Sequence, residues 1–284
     1  MPDPPDVFVV ADAHGRLDLV EGLLKQAGAC CGPGRTIVQL GDLTDCVASS
    51  IEDDLAILRA VPDLFDVLLV GNHEYPYFGG APFAGFFRSE DVATAVLRLR
   101  WLPAFAAGEF LITHAGLTAD FAYRSPRMRA QEQADYLCDL WQRDPTNPSS
   151  LAVFSAISRF RGGRSETGGI FWADWMELKS TAGFSQIVGH TPGVIRVQGQ
   201  PARVKDMKML GRGAEGARFT DGRPDGFEPD EPFVLCIDLG ASKGGKDYAD
   251  PSSTKIWPRG DSLAGCWIRD GKVEVIVYTA DTTT

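Results

Sequence analysis

The stretch TIVQLGDLTDCV, residues 36–47, begins like a buried strand and ends in two carboxylates. Its first half is an apolar run that includes Ile37 and Leu40, and a run of this length bounded by a glycine is typical of a core strand. Asp42 and Asp45 come just after that glycine. Because buried charges need a counter-charge or a proton, the pair indicates a cation or a proton donor at the end of this strand.

Strand and helix patterns alternate along the first half of the chain. Three further apolar runs end in small and polar residues: DVFVVADAHG at 6–15, FDVLLVGNHE at 65–74 and EFLITHAG at 109–116. Helical spacing of apolar residues predicts helices over 17–27, from 51 to an end at Pro62, and over 92–102 before Pro103. Strands that alternate with helices at this spacing predict an α/β layered fold.

The second half of the chain is less regular but adds further strands. Residues 120–168 look helical at first and then loop-like. Strands resume at 183–192, 232–241 and 265–279, the last as a hairpin that turns at Asp270-Gly271. Glycine, proline and charge dominate 210–232, which predicts a flexible surface loop. No repeat or linker divides residues 1–284, so we expect one domain with a helical and loop insertion at about 120–168.

Composition and charge limit the classes of partner. The net charge of −10 argues against a broad basic surface for nucleic acid, and an acidic chain that handles an anion needs a metal or a few placed arginines. No apolar run reaches the roughly 18 residues of a membrane span, and the first residues lack the features of a signal peptide. The six cysteines form no CxxC pair, which favours reduced and mostly buried thiols. We therefore expect a cytoplasmic protein without a membrane or nucleic-acid partner, and the sequence predicts no oligomeric state.

The chain has four histidines, and each comes immediately after an apolar strand pattern. They lie in VVADAHG, LLVGNHE, FLITHAG and IVGHT, as His14, His73, His114 and His190. A single histidine in such a place would be read as an ordinary core or surface residue. Ligands of open α/β sheets bind beyond the carboxyl ends of the strands, so four histidines there indicate a metal site. Three other polar residues join them at these strand ends: Asp12, Asp42 and Asn72.

The types of ligand predict which metals fit and how many. Imidazole together with carboxylate and amide oxygen suits Mn, Fe, Zn or Ni better than a thiolate-selected ion or Ca²⁺. Asp12 and His14 are two residues apart, so on a straight strand their side chains point the same way. Asp42 could bridge two ions at the spacing of about 3.5–4 Å that holds a hydroxide for in-line attack on phosphorus. We therefore expect two divalent ions.

Five short motifs, in this order, resemble the motif series of the calcineurin-like metallophosphoesterases: DAHG, GDLTD, GNHE, THAG and GHT. They span residues 12–191, and CIDLGA at 236–241 with a closing strand pair extends the resemblance almost to the end of the chain. GNHE, and Pro192 where nuclease-like branches place a further histidine, are similar to the phosphoprotein phosphatases and to their relatives, the symmetrical diadenosine tetraphosphate hydrolases. The resemblance implies a four-layer α/β/β/α sandwich with two central mixed sheets.

The resemblance also implies a role for each residue at the strand ends. The first of two divalent ions, with Mn as first choice and Fe, Zn or Ni as alternatives, would be held by Asp12, His14 and Asp42. The second ion would be held by Asp42, Asn72, His114 and His190. A hydroxide that bridges the ions would attack phosphorus, and His73 would protonate the leaving oxygen while Asp45 orients its ring.

One position departs from the phosphoprotein phosphatases, in which an arginine that binds the phosphate follows the second acid. Cys46 stands there instead, and a thiol cannot form charged bidentate hydrogen bonds to phosphate. Three explanations remain open. Cys46 could be a neutral replacement in a packed position, with the phosphate-binding arginine supplied elsewhere in the chain. The enzyme could instead prefer a diester or a nucleotide, or its catalysis could be weak. The segment SRFRGGRS offers a replacement with Arg159, Arg161 and Arg164, although most arginine runs are solvated loops.

A second departure concerns the arginine-glycine signature that usually follows the Trp-x-Asp segment of phosphoprotein phosphatases, which is missing between Trp172 and His190. We therefore keep three functions in order. The first is hydrolysis of phosphomonoesters, including phosphorylated Ser, Thr or Tyr in proteins. The second is hydrolysis of nucleotide polyphosphates such as diadenosine tetraphosphate. The third is a metal-binding module without catalysis. The complete ligand set argues against it, because such a module does not need all of these residues.

Overall fold

The computed structural model describes residues 6–44, 49–82, 86, 89–123, 129–143, 150–178, 184–192, 196–198, 234–241, 262–269 and 272–280. Its strands are β1 (Asp6–Val10), β2 (Arg35–Gln39), β3 (Val67–Leu69), β4 (Trp101–Leu102), β5 (Phe105–Ala107), β6 (Phe110–Ile112), β7 (Ser185–Val188), β8 (Arg196–Gln198), β9 (Val234–Cys236), β10 (Ser262–Arg269) and β11 (Lys272–Thr279). Its α-helices are α1 (Leu17–Ala27), α2 (Ile51–Leu64), α3 (Glu90–Arg98), α4 (Ala130–Arg143) and α5 (Ala152–Ser155). Short 3-10 helices cover Tyr75–Phe78, Arg159–Arg161 and Trp175–Glu177.

The strands form two mixed sheets. The first has the order β11-β10-β1-β2-β3-β4, in which β1 to β4 run parallel and β10 pairs antiparallel with both neighbours. The second has the order β5-β6-β7-β9-β8, parallel from β6 through β7 to β9 and antiparallel at both edges. α1 packs on β10 and β11, and α4 packs on β5 and β6. Two mixed sheets with helices confirm the predicted α/β sandwich.

The centre of the first sheet shows why its strands are continuous apolar runs. Phe8, Val9 and Val10 of β1 are fully buried, because the strand has neighbours on both sides and other layers on both faces. Phe8 and Phe110, which belong to different sheets, are members of the same hydrophobic cluster. The two sheets therefore share one hydrophobic core. The polar residues lie beyond the ends of the strands.

α2 does not end where the sequence predicted. The helix continues through Pro62 to Leu64. Pro62 has no N–H to donate, so the helix loses one hydrogen bond there, while the Phe65 N–H still donates to the Val61 carbonyl at its end. A capping box between Ser50 and Asp53 stabilises the other end of the helix. The prediction that Pro62 ends the helix was therefore wrong by two residues.

α3 ends at Arg98 rather than at the predicted residue 102. Leu99 is extended, and the next residues form β4, which pairs with β3. The indole N–H of Trp101 donates to the Val96 carbonyl at 2.8 Å, and the ring is buried. Strand pairing and burial of this ring outweigh the helical pattern of the sequence.

The remaining strand predictions are confirmed. β7, β9 and β11 lie in the predicted segments, and β10 pairs antiparallel with β11 as predicted but begins at Ser262, three residues before the predicted start. The predicted turn at Asp270-Gly271 and the predicted loop at 210–232 lie outside the described residues. α4 and α5 belong to the predicted insertion, and the assignment of a single domain stays a prediction. No helix in the described part of the chain is long and apolar enough to cross a membrane.

The cysteines within these ranges carry free thiols, as predicted. Cys236 and Cys266 are buried in β9 and β10, and Cys138 is half-buried. Cys30 and Cys31 are exposed, because they lie in the turn between α1 and β2 rather than in a strand. The expectation of mostly buried thiols therefore holds only for the strand cysteines.

Candidate metal centre

Loops that follow five strands bring the predicted residues together. These loops follow β1, β2, β3, β6 and β7, and they carry Asp12, His14, Asp42, Asn72, His73, His114 and His190. Most of these side chains are buried, whereas those of His14 and His73 remain 14% and 13% exposed. Because parallel strands end at the same edge of a sheet, residues far apart in the sequence become neighbours here.

Asp42 lies at the centre of the group. Its Oδ2 is 4.0 Å from Nε2 of His14 and 3.8 Å from Nε2 of His73. Its Oδ1 is 3.4 Å from Nε2 of His114. Two groups of ligand-type atoms, each within 4.8 Å of one another, share this residue: His14–Asp42–His73 and Asp42–His114–His190. A carboxylate common to two such groups can bridge two cations.

The imidazole of His114 presents one nitrogen to the backbone and the other to the candidate ligands. Its Nδ1 is 3.0 Å from the carbonyl oxygen of Leu40, and since a carbonyl only accepts, Nδ1 carries the proton of the neutral ring. Nε2 therefore offers a lone pair, 3.0 Å from Oδ1 of Asn72 and 3.1 Å from Nδ1 of His190. The Leu40 carbonyl thus holds His114 in the tautomer that a metal ligand needs.

Several buried atoms of metal-ligating type have no hydrogen-bond partner. Within the described ranges these include Asp12 Oδ1, His14 Nδ1 and His190 Nε2. Buried polar atoms without partners are costly, and a divalent cation would satisfy oxygen and imidazole donors of this kind. The residues present therefore fit the divalent ions that the sequence predicted.

The positions of Asp12 and His73 differ from those that the predicted ligand set implies. The distances group His73 with His14, where the predicted first set has Asp12. Asp12 reaches the other group: its Oδ2 accepts a hydrogen bond from the His190 backbone N–H at 2.8 Å and lies 4.0 Å from Nδ1 of His114. Both residues reach the centre, so the assignment of ligand and proton donor between them stays a prediction.

The carboxyl groups of the centre are held in an environment that disfavours their charge. The pKa of Asp12 is raised well above its usual range, first by burial and then by the negative charge of Asp238. The pKa of Asp42 is raised in the same way, by burial and then by Glu74. A bound cation would compensate this concentration of buried negative charge.

The imidazoles respond to burial in the opposite direction. Burial lowers the pKa of His114 to about 3, and it lowers the pKa of His14 and of His190 well below the usual value. The positive charge of Arg161 is the second cause for His190. These rings are therefore neutral near pH 7, the form in which imidazole binds metals.

Three residues of the centre have left-handed backbone conformations, with φ of 46° at His14, 52° at Asp42 and 65° at His190. Such conformations are unfavourable for residues other than glycine and persist where the surroundings enforce them. A Cβ on Gly71 would overlap Asp42, and a Cβ on Gly189 would overlap a neighbouring carboxylate. Glycine at these two positions lets the loops approach closely enough for the ligand-type atoms to meet.

The sequence interpretation missed two buried acids, Glu74 and Asp238. Glu74 is the last residue of the GNHE motif, and Asp238 lies in CIDLGA, two residues after the end of β9. Their negative charges contribute to the raised pKa of Asp42 and Asp12, respectively. The signal was available for Asp238, because an acid directly after an apolar strand is the same pattern that singled out Asp42.

The three arginines of the SRFRGGRS segment differ in their surroundings. Nη2 of Arg161 donates to the His190 carbonyl at 2.6 Å and to Oγ1 of Thr191 at 2.9 Å, and its Nε is 3.2 Å from Oδ2 of Asp174. Arg159 and Arg164 are exposed, and the guanidinium of Arg159 lies over the ring of Phe160. Arg161 is therefore the arginine of the three that contacts the loop carrying a candidate ligand.

Two predictions at the second strand end lie outside the described residues. These are the role of Asp45 beside His73 and the position of Cys46 at the missing arginine. Both stay predictions.

One comparison with known proteins agrees with the motif series. A family model described as calcineurin-like phosphoesterase matches residues 5–194. No curated protein matches the chain. Among solved structures, a protein serine/threonine phosphatase from Saccharomyces cerevisiae with similarity to human phosphatase PP5 is 15% identical with a TM-score of 0.46, covering 100% of this chain and 82% of that chain.

Proposed function

The chain belongs to the calcineurin-like phosphoesterase family and is a metal-dependent phosphoesterase, and on that premise we propose that it is a phosphomonoesterase of the phosphoprotein-phosphatase type. The observation that supports this most is the place of Asp42, whose carboxylate is common to two groups of ligand-type atoms. This carboxylate would let two divalent ions bind side by side, where they would supply the charge neutralisation that hydrolysis of a phosphoester needs.

The proposed ligands of the two divalent ions are Asp12, His14, Asp42, Asn72, His114 and His190, with Mn²⁺ as the first choice of metal. When bound, the ions neutralise phosphate charge and activate the attacking water. The protein keeps its imidazoles neutral and oriented for this purpose, as the hydrogen bond from His114 to the Leu40 carbonyl illustrates. Mn²⁺ suits a donor set of imidazole and oxygen atoms.

His73 is the proposed general acid for the leaving oxygen. Its backbone N–H donates to Oδ1 of Asp42 at 2.9 Å, which holds the residue beside the centre. Its ring contacts the ring of His14 edge to face at 4.8 Å and keeps some exposure, so it can meet a substrate that arrives from solvent. In this proposal Asp45 orients the ring, as the family resemblance implies.

Arg161 is the proposed phosphate-binding residue. It would take the role of the arginine that phosphoprotein phosphatases have at the position of Cys46. Its charge is close enough to the centre to lower the pKa of His190. Its contacts with the His190 carbonyl, Thr191 and Asp174 engage Nη2 and Nε and hold the guanidinium in a fixed orientation. In this proposal its Nη1 binds the phosphate.

A second candidate is a hydrolase of nucleotide polyphosphates such as diadenosine tetraphosphate. The observation that favours it is the exposure of Arg159 and Arg164 on either side of Arg161. A polyphosphate extends beyond one phosphoryl group and could contact exposed guanidinium groups that a monoester does not reach.

Turnover of a phosphopeptide panel beside diadenosine tetraphosphate, with Mn²⁺ present and Asp42→Asn as the blank, tests this proposal. Faster dephosphorylation of the peptides supports the phosphomonoesterase. Faster cleavage of the dinucleotide replaces it with the second candidate. If neither these substrates nor a generic aryl phosphate is cleaved above the blank while metal is bound, the protein is a metal-binding module and both proposals are wrong.

A further inference from the structure

The carboxylate of Glu74 is fully buried and lies outside the proposed ligand set. Its Oε1 accepts hydrogen bonds from the backbone N–H of Leu43 at 2.9 Å, and from the N–H and hydroxyl of Thr44, both at 3.1 Å. Its Oε2 accepts from the N–H of Asp42 at 2.9 Å and from the N–H of Gly71 at 3.1 Å. Five donors therefore converge on one side chain, a large number for a residue with no contact to solvent.

The donors form a concave anion site in the backbone. The N–H groups of Asp42, Leu43 and Thr44 are consecutive, and they point together because Asp42 has the left-handed φ of 52°. Successive N–H groups in such a turn bind anions. The Glu74 carboxylate fills this site from within the protein, and it thereby stabilises a conformation that aspartate does not favour by itself.

The same carboxylate joins two of the loops that carry proposed functional residues. Asp42 belongs to the loop after β2, while Glu74 directly follows Asn72 and His73 in the loop after β3. The loops are also in direct contact, since a Cβ on Gly71 would overlap the backbone nitrogen of Asp42. A change in the length or charge of Glu74 would therefore move the two loops relative to one another.

We propose that Glu74 is a positioning residue of the reaction, which sets Asp42 at the correct distance from Asn72 and His73 for binding both ions and for protonating the leaving group. The inference rests on the proposed roles of Asp42 and His73. A residue that only stabilised the fold would lower the fraction of folded protein and leave the properties of that fraction unchanged. A positioning residue changes metal affinity and proton transfer in protein that is fully folded.

The test uses Glu74→Gln with Gln133→Ala as the matched control. The amide of the variant places an NH₂ donor against backbone N–H donors, which removes acceptors at nearly constant size. Gln133 is also fully buried, and its side chain likewise bonds a backbone, that of Tyr123, at 2.8 and 2.6 Å. It lies on α4 and carries no proposed function.

Two quantities are measured on folded protein: bound Mn²⁺ by equilibrium dialysis, and the dependence of kcat on the leaving group across aryl and alkyl phosphates. For Glu74→Gln we expect the dissociation constants of both ions to rise tenfold or more, and kcat to fall several-fold further for alkyl than for aryl phosphates. Gln133→Ala should bind two ions normally and keep the leaving-group dependence of the wild type. If Glu74→Gln matches the control in both quantities, the positioning role is wrong.

A milder variant covers the case in which Glu74→Gln does not fold. Thr44→Val removes only the hydroxyl donor to Glu74, and it should shift both quantities in the same direction by a smaller factor. An unchanged Thr44→Val in that case contradicts the inference. The underlying function fails separately. Activity on alkyl phosphates that stays at the wild-type level in Asp42→Asn or His73→Asn contradicts the proposed function, whereas a normal Glu74→Gln contradicts only the role of Glu74.

Discussion

At the scale of single residues, Asp42 combines three properties that rarely occur together. It is buried, its φ is positive, and its oxygens lie within 4.0 Å of nitrogens from three imidazoles. A non-glycine residue in a sparsely populated backbone region costs about 1–3 kcal/mol, so the surroundings must hold it there. Gly71 supplies the space, and the hydrogen bond from the Asp42 N–H to Glu74 supplies the restraint.

A variant of His73 distinguishes its proposed role as proton donor from a role as metal ligand. His73→Asn should lower kcat for alkyl phosphates by about 10²–10⁴-fold, because a general acid contributes on that order, and should leave aryl phosphates less affected. The content of two bound ions should stay unchanged. A loss of one ion in the variant would instead identify His73 as a ligand, as its distance to Asp42 also allows.

Substitution of single arginines tests whether Arg161 is the one that binds the phosphate. Arg161→Lys should raise KM for a phosphopeptide about 10–100-fold, because a charged hydrogen bond contributes about 1.5–3 kcal/mol. The single nitrogen of lysine cannot keep the contacts with the His190 carbonyl and Asp174 and bind the phosphate as well. Arg164→Lys is the matched control, and its KM should change less than about twofold because an exposed charge contributes little. Equal effects in steady-state assays of the two variants would show that no single arginine binds the phosphate.

At the scale of secondary-structure elements, the helix ends show which local signals are strong. Ser50 and Asp53 form a complete capping box at the start of α2, with the Asp53 N–H donating to Ser50 Oγ at 3.1 Å. Ser89 caps α3 through a single contact of 3.4 Å from the Val92 N–H. The two helices therefore offer a strong and a weak cap of the same residue type.

Urea unfolding should distinguish these caps. Ser50→Ala should lower the free energy of unfolding by about 1 kcal/mol, since it removes the side-chain acceptor of the Asp53 N–H. Ser89→Ala should cost less, because its longer hydrogen bond is weaker. Circular dichroism across a urea titration measures both values, and a larger loss for Ser89→Ala would contradict the ranking.

At the scale of the whole molecule, the proposed ions connect loops from both sheets. Ions that bind only the folded state stabilise it by about 2.7 kcal/mol at a free concentration one hundred times the dissociation constant. Mn²⁺ should therefore raise Tm by several degrees, and chelation should reverse the shift. Differential scanning fluorimetry measures this, with Asp42→Asn expected to show little response because it removes the shared carboxylate.

Metal affinity should depend on pH through the protonation of the two buried carboxylates rather than through the buried imidazoles. The pKa values of Asp12 and Asp42 are raised, so below those values a proton competes with the cation for each carboxylate. Apparent affinity should therefore rise with pH, by up to about tenfold per unit for each proton displaced, and level off above the raised pKa values. His114, with a pKa of about 3, contributes no proton above pH 5. Calorimetry in buffers of different ionisation enthalpy counts the protons released.

Much of the fold and the core of the candidate site could be predicted from local patterns. Apolar runs, turn residues and strand-end histidines are properties of short segments, so β1, β2, β3, β6 and β7 and the residues beyond them were accessible from the sequence. The end of α3 was not, because it depends on pairing between β4 and β3. The choice among the arginines was not either, since Arg161 differs from its neighbours only by contacts with a loop about thirty residues away.

The sequence alone therefore predicted the family, the α/β layering and a set of candidate metal ligands, because the motifs behind these predictions each lie within a single strand and the turn after it. Only the tertiary structure decided which of those side chains meet at Asp42, which arginine lies beside them, and that Glu74 occupies a backbone anion site in another loop. The physical reason is that hydrogen bonding and burial between loops depend on how the strands are aligned in space. No spacing along the chain records that alignment.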